Sequence, residues 1–173
     1  ILGSGANGAS IGADLTRAGL DVVLIDQWPE HVEAMRRYGI KIEMPDETQV
    51  TPVRAYNLCD VCTFQTQFDI VLLLMKAYDT RWACHLIEPY LKADALVAGV
   101  QNGMTTDVVA EVVGAHRTIG CVIEISSTMF DPGVVMRDSP PPRSWFAVGG
   151  IDPSTKGRET EIGNLLRHSG TVA

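Results

Sequence analysis

The run Asp69-Ile70-Val71-Leu72-Leu73-Leu74-Met75 limits the fold more than any other stretch of this chain. From Ile70 to Met75 no polar residue interrupts it. A strand with one wet face alternates apolar and polar side chains, whereas a strand covered on both faces does not. The run is also far shorter than the ~20 apolar residues needed to cross a bilayer. It predicts a central strand of a parallel sheet with helices on both faces.

The segments around it alternate in the same sense. Ile1-Leu2 read as the tail of a strand, and Ala6 to Ala18 carry a helical pattern that Gly19 ends. Asp21 to Asp26 reads as a buried strand, and Pro29 opens a helix that runs to about Tyr38 and stops at Gly39. Ile40 to Met44 and Gln49 to Tyr56 are extended runs on either side of Pro45-Asp46-Glu47-Thr48, a hairpin or meandering pair. A helix capped by Asp79 or Thr80 is expected through about Leu91, followed by a strand over Ala95 to Val100. Thr105 can N-cap a short helix to Val113, and Thr118 to Ile125 reads as another strand.

The texture then becomes β-rich. Asp131-Pro132-Gly133 forms a turn, Pro140-Pro141-Pro142 a loop and Trp145 to Val148 a strand. A helix over Thr155 to His168 and an extended Thr171 to Ala173 close the chain. The pattern predicts one α/β domain over residues 1–173: a Rossmann-type, doubly wound, mostly parallel sheet with an added β-rich edge.

Composition removes several functions. A net charge of -7 argues against a broad nucleic-acid surface, which needs clustered Lys and Arg. The longest apolar stretch, Ile70 to Met75, is too short to span a bilayer, so no membrane partner is expected. Four cysteines are too few for a disulfide scaffold, and a reducing cytoplasm fits them best. Cys59 and Cys62 form a C-x-x-C, but no second ligand pair follows for zinc and no helix opens there as a thioredoxin-like motif requires, so it reads as a loop and no metal site is expected.

The chemistry concentrates at strand ends. Gly3-Ser4-Gly5-Ala6-Asn7-Gly8 has the spacing G-x-G-x-x-G, with a strand before it and a helix beginning inside it. Gly3 permits a tight turn, Gly5 lets a pyrophosphate approach the backbone, and Gly8 lets helix and sheet pack closely. Ser4, Ala6 and Asn7 complete the loop, and the helix N-terminus adds free N–H donors.

Asp26 ends the next strand, where a carboxylate can accept hydrogen bonds from a ribose and repel a 2′-phosphate; alternatively it caps the helix at Pro29. Lys76 follows the most apolar strand, placed to hold a cofactor hydroxyl, a phosphate or a substrate carboxylate, or else simply solvated. Asn102, in Gln101-Asn102-Gly103, carries both donor and acceptor at the end of the following strand, although Asn-Gly is also an ordinary turn.

Together these features resemble the N-terminal domain of the ketopantoate reductase (2-dehydropantoate 2-reductase) family. The matching stretches are Leu2 to Gly8, Phe68 to Val71 leading to Lys76-Ala77-Tyr78-Asp79-Thr80, Gln101-Asn102-Gly103-Met104, and Asp131-Pro132-Gly133-Val134-Val135. The resemblance implies reduction of a small 2-oxo acid to a D-2-hydroxy acid, usually with NADPH. It places Lys76 and Asn102 beside the nicotinamide ribose and substrate, and Glu124 near the nicotinamide end of the cleft. NADP-dependent members often carry a basic residue after the second strand; Asp26-Gln27 stands here and favours NADH.

The family's helical C-terminal domain, which supplies a catalytic Lys, is not expected within residues 1–173, and the fragment alone is expected to be inactive. Two rivals are a non-catalytic NAD(H)-binding regulatory module and a 6-phosphogluconate- or hydroxyisobutyrate-type dehydrogenase. The β-rich region around Val134 and Trp145 offers a surface for a homodimer.

Overall fold

The computed structural model describes residues 1–173. Leu2 is the first strand position, bridging Ile25 on one side and Leu73 on the other, both in parallel. Helix α1 (Ala6–Arg17) follows, then β1 (Leu24–Asp26), α2 (Pro29–Tyr38), β2 (Ile40–Glu43), β3 (Thr48–Thr51) and β4 (Ala55–Asn57). Next come β5 (Phe68–Leu73), α3 (Thr80–Ile87), β6 (Leu91–Val100), α4 (Thr106–Val113), β7 (Thr118–Glu124), β8 (Ser127–Thr128) and β9 (Val134–Arg137). The chain closes with β10 (Trp145–Gly150), α5 (Glu159–Leu166) and β11 (Thr171–Val172).

Through the Leu2 bridges the main sheet runs β4, β1, Leu2, β5, β6, β7, β10, β11. It is parallel from β4 to β7; β10 pairs antiparallel to β7, and β11 runs parallel to β10. The chain thus builds outward from Leu2 in both directions. That reversal opens a crevice beyond the carboxyl ends of the central strands, where ligands of such sheets bind.

Strand β5 has the double cover that its composition predicts. Val71 and Leu73 face a core that includes Ala83, Cys84 and Ile87 of α3 and Val109 and Val113 of α4. Leu72, one residue out of phase, faces Ile11 and Leu15 of α1 and Ile162 and Leu166 of α5. Alternate residues of a strand point to opposite faces, so an unbroken apolar run is what two buried faces require.

The β-rich part divides in two. Strand β10 extends the main sheet, whereas β8 and β9 join the β2–β3 hairpin in a second sheet of order β3-β2-β9-β8. This sheet packs Ile40, Ile42 and Val135 against Ala9 and Ala13 of α1 and Val32 and Met35 of α2. Arg137 of β9 ties the parts together from inside. Its guanidinium, 1% exposed, pairs with Asp14 of α1 at 2.7 Å and donates to the carbonyls of Ser139 and Ser169 and the Ser144 hydroxyl.

Several details differ from the sequence expectation, including β1, which begins at Leu24 rather than Asp21, and β10, which runs on to Gly150. Helix α3 stops at Ile87 because Pro89, in the 3-10 turn Glu88–Tyr90, has no N–H to continue it; β6 then begins at Leu91. The last helix begins at Glu159 rather than Thr155, since Gly157 lies at φ +90° after a 3-10 turn over Pro153–Thr155. Residues Ala55–Asn57 leave the hairpin and pair with β1 in the main sheet. Thr105 precedes α4 but does not cap it through its side chain; its hydroxyl donates to Gln101 Oε1 at 2.7 Å.

Candidate functional site

A cleft of about 660 Å³ opens at the carboxyl ends of the central strands. It is lined by Gly3, Gly5, Ala6 and Asn7 after the first strand, Asp26 at the end of β1 and Trp28 beyond it, Lys76 after β5, Asn102 after β6 and Ile123 of β7. Residues scattered over most of the sequence thus share one wall because parallel strands all end at the same edge.

Gly3 and Gly8 stand where the backbone leaves no room for a side chain. Gly3 lies at φ +90°, and a Cβ there would sit 2.5 Å from the Met75 nitrogen. A Cβ at Gly8 would fall on the Gly3 carbonyl, so these two allow the loop to fold onto itself and onto the strand beside it. At Gly5 a Cβ would meet nothing within 4 Å. Gly5 is the N-cap of α1 and has no side chain to cap it, so the first-turn amides of α1 face open space at the cleft. An anion fits this cradle: free N–H donors, the positive end of a helix, and no atom where a pyrophosphate would approach.

Ser4 has a different place from the one expected. It is fully buried behind the loop, where its hydroxyl donates to the Ile25 carbonyl and its N–H donates to Asp26 Oδ2 at 2.7 Å. It holds the loop from the back, and it is absent from the cleft wall. Gly8 is likewise buried and is absent from the cleft wall.

Asp26 shapes the turn that leads into α2 and also lines the cleft, without capping the helix at Pro29. Oδ1 accepts the Trp28 N–H at 2.9 Å, shaping the turn into α2, while the carboxylate still lines the cleft. Each oxygen takes one backbone N–H and keeps a lone pair for a second donor.

Lys76 is exposed and is the one cation on the cleft wall, where the acids are Asp26 and Asp79. Asn102 is held firmly: its Nδ2 donates to the Ile123 carbonyl at 2.7 Å and its Oδ1 accepts the Ile123 N–H at 3.0 Å. The amide thereby continues the sheet past the end of β6 and sets the loop after it. Asn7 accepts the Ser127 hydroxyl at 2.6 Å, which ties the start of α1 to β8.

Glu124 does not join the cleft. It is exposed, pairs across to Trp145, and leaves the wall to Ile123, because neighbouring residues of a strand face opposite sides.

Gln101 belongs to the site although only its motif, not its side chain, drew attention in the sequence. Its Nε2 donates to the Met75 carbonyl at 2.8 Å, and its Oε1 accepts the hydroxyls of Thr80 and Thr105. One buried amide therefore locks the ends of β5 and β6 to α3 and α4. A Gln directly before Asn-Gly at a strand end was the available signal. Trp28 and Trp82 also line the cleft. No single-sequence signal marks them, since an aromatic residue before or within a helix is usually core.

The C-x-x-C lies apart from this chemistry. Cys59 and Cys62 are exposed in the 3-10 turn Leu58–Thr63, and the Cys62 thiol donates to the Cys59 carbonyl. Cys84 and Cys121 are buried; burial pushes their thiols up to about 11 and about 12. No helix is long and apolar enough to cross a membrane.

Known proteins share this fold. The family model described as ketopantoate reductase PanE/ApbA matches residues 1–148. A 2-dehydropantoate 2-reductase from Lactococcus lactis is 27% identical over 153 residues, covering 88% of this chain and 46% of that protein. The crystal structure of 2-dehydropantoate 2-reductase from Geobacter metallireducens superposes with a TM-score of 0.84 at 26% identity, covering 100% of this chain and 56% of that one. A ternary structure of D-mandelate dehydrogenase with NADH and anilino(oxo)acetate has the same fold, with a TM-score of 0.88 at 19% identity over 99% of this chain and 55% of that one. The chain spans about half the length of the curated relatives it matches. Its sequence and its fold agree, and the chain belongs to the ketopantoate reductase family.

Proposed function

We propose that residues 1–173 hold a nicotinamide dinucleotide along the cleft and form the cofactor half of an enzyme that reduces a 2-oxo acid to its D-2-hydroxy acid. The observation that carries this reading is the open cradle at Gly5, in a cleft that Asp26, Lys76 and Asn102 also line. A pyrophosphate fits over Gly5 to Asn7, and the adenosine ribose fits beside Asp26. The negative carboxylate disfavours a 2′-phosphate, so NADH is the preferred cofactor.

The reduced cofactor supplies the hydride. The chain's own residues then orient the reacting pair: Lys76, beside the Met75 carbonyl that Gln101 holds, offers a positive charge to an anionic substrate, and Asn102 fixes the end of β6 against β7. Charge that develops on the substrate oxygen needs a proton donor. That donor is assigned to the half of the protein outside these residues, so residues 1–173 bind cofactor and turn over little or nothing alone. Family membership and the reductase names of the relatives support the reaction class.

The test is a longer protein carrying both halves, assayed for oxidation of NADH and NADPH against a panel of 2-oxo acids that includes ketopantoate. Turnover of at least one 2-oxo acid, faster with NADH, is expected. Binding of dinucleotide without turnover of any 2-oxo acid would contradict the reductase reading and favour a regulatory module.

A further inference from the structure

One fully buried imidazole is not used by the chemistry above. His31, in the first turn of α2, lies between the Gly-rich loop and the turn that leads into β9. Its Nδ1 accepts the Gly133 N–H at 2.9 Å. A ring nitrogen that accepts carries no proton, so the proton of the neutral ring is on Nε2. Nε2–H then donates to the Ser4 carbonyl at 2.8 Å.

The Ser4 carbonyl and the Gly5 N–H belong to one trans peptide plane and point in opposite directions. Holding the carbonyl toward His31 therefore turns the Gly5 N–H away from the protein interior. It donates to no protein group, and it lies where a Cβ on Gly5 would meet nothing within 4 Å. The other two polar groups of Ser4 are also engaged, its N–H with Asp26 and its hydroxyl with Ile25. The Ser4–Gly5 peptide has one orientation available, and His31 supplies the contact that sets it.

We infer that His31 is a positioning residue for cofactor binding: as the Nε2–H tautomer it aims the Gly5 amide at the pyrophosphate and anchors that amide to the second sheet through Gly133. Gly133 in turn accepts the Lys41 N–H of β2 through its carbonyl at 2.9 Å, so the loop is braced against the second sheet. This inference rests on the reading that a dinucleotide crosses the Gly-rich loop.

Two amide side chains separate the two bonds. In His31→Gln the side-chain amide nitrogen lies where the imidazole Nε2 was and retains a donor to Ser4. In His31→Asn the side-chain amide oxygen reaches the position of Nδ1, keeping an acceptor for Gly133 while losing the Ser4 bond. NADH titration of residues 1–173 should give His31→Gln within about threefold of wild type and His31→Asn weaker by about tenfold, the worth of one ordered hydrogen bond. Circular dichroism sets a temperature at which both variants are folded.

Imidazole ¹⁵N NMR of the cofactor-free wild type gives an independent reading and should report Nε2 protonated and Nδ1 bare. The Nδ1–H tautomer, or equal affinity for the Asn and Gln variants, would overturn the inference. If the wild type binds neither NADH nor NADPH, the dinucleotide reading fails, and the tautomer alone still decides how His31 holds the loop.

Discussion

Replacing Gly5 by Ala separates a ligand seat from a structural joint, because the other two glycines of the loop are joints. Gly5 has φ -62° and ψ -164°, a conformation open to any L-residue, and its added methyl meets nothing within 4 Å. Reduced freedom of the unfolded chain stabilises such a variant by roughly 0.4–1 kcal/mol. Against that, Ala is a poorer N-cap than Gly by up to about 1 kcal/mol. The two effects nearly cancel, so the thermal midpoint of Gly5→Ala should stay within about 4 °C of wild type.

The methyl nevertheless occupies the space over the first-turn amides of α1. A pyrophosphate pushed off those donors loses at least one charge-assisted hydrogen bond, about 1.5–3 kcal/mol. That corresponds to a Kd for NADH raised about tenfold to a hundredfold. Gly8→Ala should do the reverse, lowering the melting midpoint sharply because its Cβ falls on the Gly3 carbonyl. Thermal melts paired with quenching of Trp28 and Trp82, which line the cleft, read both quantities on one sample. Unchanged NADH affinity in a folded Gly5→Ala would refute the assignment of the cradle.

Other consequences follow from the same contacts. Asp26→Asn keeps an acceptor for one backbone N–H but removes the charge, so the preference for NADH over NADPH should shrink by at least about tenfold in paired titrations. Lys76→Ala should leave the melting midpoint unchanged, the side chain being exposed, while lowering turnover by the two-half enzyme about a hundredfold through lost orientation. Arg137→Met strands the Asp14 carboxylate in the interior with Arg17 as its remaining partner, and denaturant unfolding should show a loss of about 3 kcal/mol.

Thiol labelling of the native protein near neutral pH should modify Cys59 and Cys62 and spare Cys84 and Cys121. The buried thiols keep their protons to about 11 and about 12, whereas the unfolded chain releases them near 9.0, so the unfolded state binds fewer protons in that interval. Their contribution is complete below pH about 9 and declines as pH rises toward 12, which pH-dependent melts can measure.

The parts of the fold that were legible in the sequence are those dictated by one local cause. The apolar run at β5 demanded cover on both faces, and Val71, Leu72 and Leu73 received it. Gly39 and Gly114 end their helices at φ +75° and φ +92°, as glycine past a helix end usually does. What stayed hidden depends on long-range pairing. Nothing near Val134 says that β9 will lie parallel to β2 and not extend the main sheet, because strand pairing is chosen by the partner.

The site shows the same division. Gly3, Gly5, Asp26, Lys76 and Asn102 were readable because each ends or follows a strand, and parallel strands bring such ends together. Ser4 and Glu124 were misplaced because the side a residue faces follows from loop and strand phase, which residue type does not reveal. Gln101 and His31 act through backbone groups remote in sequence, and no local pattern announces a hydrogen bond across 102 residues.

The most direct measurement is titration of residues 1–173 with NADH and NADPH, followed by calorimetry and by quenching of Trp28 and Trp82. The structure predicts one saturable site, with NADH bound at least about tenfold more tightly than NADPH. Absence of saturable binding by both nucleotides would contradict the dinucleotide site itself, and tighter binding of NADPH would contradict the role given to Asp26.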